Sequence, residues 1–445
     1  MTGAPAPSIA IPLSARLGAW LLVAVVALVI LAEFFPAYPD WFTGVIAWAA
    51  VALFWPRFAF RQKAVVLALT LAGTVGIVAG MVAGAGGLIA RALSQNTPLT
   101  GMLVAVSFLQ LITGRPAEGE RLEKGPRALA NTLAGVHLFG AVINYSAVAI
   151  FAERLAARRP LALEQAVGLS QAFIIGAMWS PFYGSMAVAL TFAPRTNLLV
   201  VMAIGVPLTL LALALTWATL SSARYGHARE FEGYPLRLDA LWVPAVLAAS
   251  VLLVHAVAPQ WSVLAIIAAL APLVTFLTLL ATDGNRAPAR MRMLVETRIP
   301  EMGGEMALFI AAGVLSAGMA GVIAWLDLAL PFTRFGGVEA ALTLALIVFG
   351  AWLGFHPIIP VSVLGPWIAP LNPDPNLLAM TCIMGWAIGL PACPMSNTLL
   401  ALRARHGVSL RAMLAANRKF SFVMLVVCAG VLVAYAHFVP TAAAV

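Results

Sequence analysis

Charge is scarce in this chain. Asp, Glu, Lys and Arg make up 10% of its 445 residues, and no hydrophilic stretch is long enough to form a soluble domain. Hydrophobic residues make up 62%, and the mean hydropathy is +0.98. That combination belongs to polytopic membrane proteins. A large soluble α/β protein is excluded by the length of the apolar runs. The run from Leu17 to Phe35 is long enough to span, since a spanning helix needs about 20 apolar residues. It has no evident cleavage site and a second run follows directly, so it is expected to be a span rather than a signal peptide. Cysteine is also sparse. Cys382, Cys393 and Cys428 sit in or beside apolar runs at no motif spacing, which leaves no disulfide framework and no cysteine metal cluster. No nucleotide-binding loop, dinucleotide fingerprint or zinc-protease motif occurs.

What charge there is falls in loops. The net charge of +9 would point to nucleic acid in a soluble protein, but in a membrane protein basic residues gather on the cytoplasmic side. Six basic loops, Arg57–Lys63, Arg115–Arg127, Arg154–Arg159, Arg224–Arg237, Arg286–Arg298 and Arg403–Lys419, are therefore expected in the cytoplasm. Between any two of them the chain must cross the bilayer an even number of times. Only one modest apolar stretch lies between Arg127 and Arg154, so parity makes residues 128–153 a re-entrant hairpin entered from the cytoplasm. The same count makes residues 337–370 a second hairpin entered from outside. Its Pro357, Pro360 and Pro366 are errors in a spanning helix. They suit a hairpin, because irregular backbone is tolerated at membrane depth where protein or a water-filled cavity surrounds it.

The expected fold is a single all-α polytopic membrane domain with 11 transmembrane helices, two opposed re-entrant hairpins and a broken helix in each of two repeats. Repeat 1 covers residues 41–220 and repeat 2 residues 241–438. An odd number of crossings separates them, so they are inverted, with the N-terminus cytoplasmic and the C-terminus outside. Two echoes fall in matching slots: "AGVHLFGAV" at Ala134 with "LGFHPIIPV" at Leu353, and "GAMWSPFYGSMAVAL" at Gly176 with "AIGLPACPMSNTLLAL" at Ala387. The long spans at residues 161–192 and 377–402 exceed what a crossing needs. Each holds proline near mid-depth, Pro181 in one, Pro391 and Pro394 in the other. Two half-helices around an unwound middle are expected, exposing carbonyls for a cation and a helix N-terminus for an anion. The plainer alternative is a proline kink.

The candidate solute-binding residues follow from those breaks. They are Asn131, Thr132 and His137 in the first hairpin, Ser180 and Ser185 in the first long span, His356 in the second hairpin, and Ser396, Asn397 and Thr398 in the second long span. Asn144, Ser362 and Cys393 are the cation candidates. Small hydroxyls and amides suit an oxyanion or a hard cation, although such residues also tie membrane helices together. Ser146 and Tyr183 lie beside them. His137 and His356 are read as a pair at symmetric hairpin tips, each two residues after a glycine. Glu301 and Glu305 open a helix, where a carboxylate meets the dipole favourably.

Two inverted repeats, each with a re-entrant hairpin before a broken helix, resemble the ion transporter superfamily, and within it the divalent-anion:sodium symporters. In that family Ser-Asn-Thr triplets sit at both hairpin tips. Here Ser396–Asn397–Thr398 falls on the second broken helix, and the hairpins carry "NTLAGVH" and "GFHP". The resemblance implies a homodimeric secondary transporter of the inner (plasma) membrane with a transport domain that moves elevator fashion. The expected function is symport of a small anionic solute coupled to Na⁺ or H⁺, with Na⁺ as the coupling ion by analogy, no cofactor, no catalysis and no nucleic-acid partner. Two alternatives stand beside it: a transporter or flippase for a lipid-linked or amphipathic substrate, and an intramembrane enzyme using His137 and His356.

Overall fold

The computed structural model describes residues 11–113, 122–143, 145–157, 159–222, 230–233, 242–329 and 331–439. The chain opens with α1 (Leu13–Phe34), α2 (Asp40–Phe54), α3 (Phe60–Val82), α4 (Leu88–Ser94), α5 (Thr97–Ser107) and α6 (Gln110–Thr113). Two helices, α7 (Pro126–Ile143) and α8 (Ser146–Ala156), pack against each other. They are followed by α9 (Leu163–Ile174), α10 (Gly184–Phe192) and α11 (Leu198–Ser221). The second part runs α12 (Trp242–Val257), α13 (Val263–Asp283), α14 (Ala287–Thr297), α15 (Gly303–Leu326), α16 (Gly337–Leu353) and α17 (Ile358–Ile368). It ends with α18 (Pro375–Gly389), α19 (Asn397–His406) and α20 (Leu410–Phe438). Six helical segments among the described residues are long and apolar enough to cross a membrane, and the protein is an all-α polytopic membrane protein.

Local chemistry sets the boundaries. Asn197, Ser262, Asp374 and Ser409 each accept a backbone N–H from the first turn of the helix that follows, satisfying donors that a helix start leaves free. Gly354 at φ +109° and Gly407 at φ +70° close α16 and α19 in the left-handed conformation glycine adopts without a Cβ penalty.

Packing repeats between the two parts. The helix α7 lies on α9 and α11, and α16 lies on α18 and α20. Likewise α3 packs along α15, and α5 along α13. The α3–α15 seam is made of glycines. A Cβ on Gly76 would stand 2.3 Å from the Gly318 carbonyl oxygen, and one on Gly321 2.2 Å from that of Gly76. Only hydrogen at these positions lets the two backbones touch. The segment Pro375–His406 is the most enclosed, with 89% of its apolar window buried against 33% for Leu13–Phe34. It forms the centre, and α1, α3 and α11 present broad faces to the surroundings.

Three sequence expectations are corrected. The apolar stretch of residues 98–113, which by its composition is expected to be one crossing, is not one span: the helix stops after Ser107 and resumes at Gln110, while α4 precedes it as a separate short piece. The first hairpin does not turn at "NTLAGVH". Helix α7 runs through it without interruption, because no proline breaks it and Leu129, Leu133, Val136, Gly140 and Ile143 form one buried stripe at helical spacing. The turn falls at Tyr145, and Asn144 lies outside the described residues. His137 is therefore mid-helix, whereas His356 sits in the turn between α16 and α17, so the two histidines are not a pair at symmetric tips. A two-residue ladder joins the loops: β1 (Glu123–Lys124) pairs antiparallel with β2 (Glu232–Gly233), and Lys124 reaches the Glu232 carboxylate at 3.0 Å.

Candidate functional site

The first long span is interrupted. Helix α9 ends at Ile174, tightens to a 3₁₀ turn over Ile175–Met178, and gives way to non-helical backbone before α10 starts at Gly184. Pro181 cannot donate to a preceding carbonyl, so acceptors around the break lose their helical partners. Side chains replace them. Tyr183 donates its hydroxyl to the Phe173 carbonyl at 2.6 Å, Thr209 to Ile175 at 3.3 Å and Ser185 to Ala177 at 3.2 Å. Ser180 donates to the Ala141 carbonyl on α7.

His137 is used in the same way. Trp179 Nε1 lies 3.0 Å from His137 Nε2, and Nδ1 lies 3.0 Å from the Ala172 carbonyl. An indole nitrogen only donates, so Nε2 accepts, and Nδ1 carries the proton and gives it to Ala172. Both ring nitrogens of a neutral imidazole are spent on holding α7 to the break.

The second break is built differently. Helix α18 ends at Gly389, a 3₁₀ turn covers Leu390–Ala392, and α19 begins at Asn397 with Ser396 as its N-cap residue. The carbonyls released by Pro391 and Pro394 are served from α20: Asn417 Nδ2 donates to the Pro391 carbonyl at 2.7 Å, and Ser421 donates to that of Ile388. The turn of the second helix pair approaches here, with the Cys393 thiol 3.6 Å from the Phe355 carbonyl. The hydroxyl at the break remains unspent, and so does one on α17. Ser396 Oγ and Ser362 Oγ are buried with no hydrogen-bond partner among the described residues, and Ser396 gives its helix no side-chain cap. Buried polar atoms are rarely left so.

A cavity of about 860 Å³ adjoins this break. His356, Trp386, Leu390, Asn397 and Thr398 line it on the side of the second part, and Phe173, Ala177, Tyr183 and Gly184 on the side of the first. His356 is in contact with the Trp386 and Phe309 rings, with centroids 4.9 Å and 6.2 Å away. Its Nδ1 accepts the Ile358 N–H at 3.3 Å, which leaves the proton on Nε2 in the neutral ring. The rest of the wall mixes apolar side chains such as Val106, Ile150 and Leu294 with polar ones. Gln62, Ser107, Gln110, Tyr145, Glu153, Arg298, Glu301, Glu305 and Arg405 contribute. Arg405 pairs with Glu153 at 3.1 Å, and Arg298 with Glu301 at 3.5 Å.

Of the sequence candidates, then, His356, Asn397 and Thr398 come together on one cavity, with Ser396 and Cys393 buried behind them. Asn131, Thr132, His137, Ser180 and Ser185 do not line it. Asn131 is at the strand end of α7, donating to Glu123 at 3.2 Å, and Thr132 lies against Gly233. Neither Asn144 nor the side chain of Ser146 belongs to the described residues. No cluster of three or more His, Cys, Asp or Glu occurs among the described residues, and His137 does not share the cavity of His356. The charged wall was missed in the sequence. Glu153, Arg298 and Arg405 look like ordinary basic-loop residues there, and Glu301 and Glu305 like dipole partners. The signal that could have found them is proximity to the ends of the broken elements.

No protein-family profile and no curated protein matches the chain. Among solved structures it is similar to the YdaH transporter of Alcanivorax borkumensis, whose crystal structure is described as revealing an unusual topology. That likeness has 14% identity, covers 96% of this chain and 99% of that one, and has a TM-score of 0.38.

Proposed function

We propose that this protein is a secondary active transporter of the inner membrane. It moves a small anionic solute, coupled to Na⁺ or H⁺, by an elevator mechanism in a homodimer. The observation that carries the reading is the second break: a half-helix N-terminus at Asn397, facing a cavity, with the Ser396 hydroxyl beside it left unbonded among the described residues. Free N–H groups and the positive end of the dipole there attract an anion, and Asn397, Thr398 and the His356 Nε2–H add donors. A structural tie would have used those groups, as the first break does.

The topology supports the same reading. The packing of α7 on α9 and α11, repeated by α16 on α18 and α20, is what two inverted repeats with re-entrant hairpins require. With the basic loops cytoplasmic, the N-terminus is inside and the C-terminus outside. The polar part of the wall, drawn from Gln62, Gln110, Arg298 and Arg405, then faces the cytoplasm, so this is the inward-facing state. In the elevator step α7–α10 and α16–α19 move together, as the contact of α10 with α18 and α9 with α19 allows.

The test is a thermal-shift screen of small anions on purified protein, with and without Na⁺, followed by uptake into proteoliposomes. The reading expects at least one anion to raise the unfolding temperature and to be accumulated against its gradient. Stabilisation by amphipathic lipids alone, with no anion carried, would favour the lipid-substrate alternative instead.

A further inference from the structure

We propose that Glu305 carries the coupling proton. The inference rests on the transport reading above and deepens it by naming the ion and its seat. The charges on the cavity wall cancel in pairs, Arg405 with Glu153 and Arg298 with Glu301. Glu305 is the remaining one, and among the described residues it makes no hydrogen bond or ion pair. It lies in the first turn of α15, four residues before Phe309 and so on the same helix face. The Phe309 ring in turn touches the His356 ring. A lone carboxylate inside a membrane domain is costly and marks a proton or ion path by default.

The electrostatics supply the coupling. An anion held at the α19 N-terminus shares its cavity with Glu305, and two negative charges in a poorly screened space repel. Protonation of Glu305 removes the repulsion, so anion and proton favour each other's binding. The proton passes from water in the open cavity to a Glu305 carboxylate oxygen, and no bond of the solute changes.

The titratable neighbours are few. Gln62 is the polar group from α3, and Lys63 is turned over the Trp55 ring. The turn before α15 brings Arg298 and Glu301, α8 brings Glu153, α19 brings Arg405, and the α16–α17 turn brings His356. From α2, α4, α5 and α17 no titratable group among the described residues reaches this wall; Arg91 of α4 instead contacts Gln95, which bonds Ser316 farther along α15.

The experiment treats the full chain in proteoliposomes with dicyclohexylcarbodiimide, which modifies protonated carboxyl groups in apolar surroundings, and maps adducts by mass spectrometry across pH. The expected result is an adduct at Glu305 that rises several-fold from alkaline to mildly acidic pH, with the paired Glu153 and Glu301 unmodified. An adduct at Glu153 or Glu301 but not Glu305, or no pH dependence, overturns the assignment. A second measurement follows uptake of succinate, glutamate and inorganic phosphate. A carried probe should accumulate along a pH gradient in the wild type and only equilibrate in Glu305→Gln. Accumulation by Glu305→Gln under a pH gradient overturns the proposal. If none of the probes is carried, the transport reading is what fails, and the adduct pattern alone upholds or overturns protonation at Glu305.

Discussion

The Gln171 side-chain amide donates to Asn417 Oδ1 over 2.8 Å, joining residues 246 positions apart at the point where both long spans are interrupted. Asn417 passes the link on to the Pro391 carbonyl at 2.7 Å, and Thr216 donates to Gln171 Oε1 at 2.9 Å. All three side chains are buried. One hydrogen-bond chain thus fastens α9, α11 and α20 to the second break.

Asn417→Ala is expected to leave the Pro391 carbonyl and the Gln171 amide unpaired in an apolar interior. The cost is about 1–3 kcal/mol, the scale for an orphaned buried polar group. Thermal unfolding of the purified variant should move down accordingly. Thr216→Val orphans one acceptor that still holds a second lone pair, so its shift should be smaller. An Asn417→Ala protein as stable as the wild type would show that the chain of bonds is not what holds the break.

The glycine seam predicts an asymmetric outcome among conservative changes. In Gly76→Ala the new Cβ would stand 2.3 Å from the Gly318 carbonyl oxygen, so α3 and α15 must part. Overpacking of this kind costs about 1–3 kcal/mol. Gly430, inside α20, has nothing within 4 Å of its notional Cβ. Gly430→Ala should be neutral or stabilising by up to about 1 kcal/mol, since alanine loses less freedom on helix formation. Equal unfolding temperatures for the two variants would contradict the close backbone contact.

The proposed inverted topology predicts where loops are reached. On a background with Cys382, Cys393 and Cys428 replaced, single cysteines placed within residues 286–298 and within residues 403–419 should react with an impermeant maleimide only from the cytoplasmic face. Reaction of either loop from outside would break the parity on which the two opposed hairpins depend.

Much of the helix order could be read from the chain because apolar length and basic loops are physical constraints on each segment by itself. The prolines marked both interruptions for the same reason, since each deletes a donor locally. The division of labour between the breaks was hidden. Whether Ser180 or Ser396 is free depends on which carbonyl another helix brings within reach, and that information lies in Ala141, Ala172 and Asn417, far away in sequence. His137 and His356 looked equivalent because the local pattern around them is similar; Trp179, 42 positions from His137, decides that only one has a free nitrogen. Glu305 was legible as a helix-start carboxylate, but its lack of a partner was not.

The central claim is that the second break binds the solute while the polar residues of the first are structural. Solute affinity and unfolding temperature, measured together on Asn397→Ala and His137→Ala with an anion found in the stability screen, test it most directly. Asn397→Ala should lose about 1–3 kcal/mol of binding, the scale of one lost partner to a buried polar group, and little stability, because polar contacts within membranes contribute about 0.6 kcal/mol on average. His137→Ala should do the reverse, unfolding earlier with affinity unchanged. Intact affinity in Asn397→Ala, or a selective loss of affinity in His137→Ala, would contradict the account.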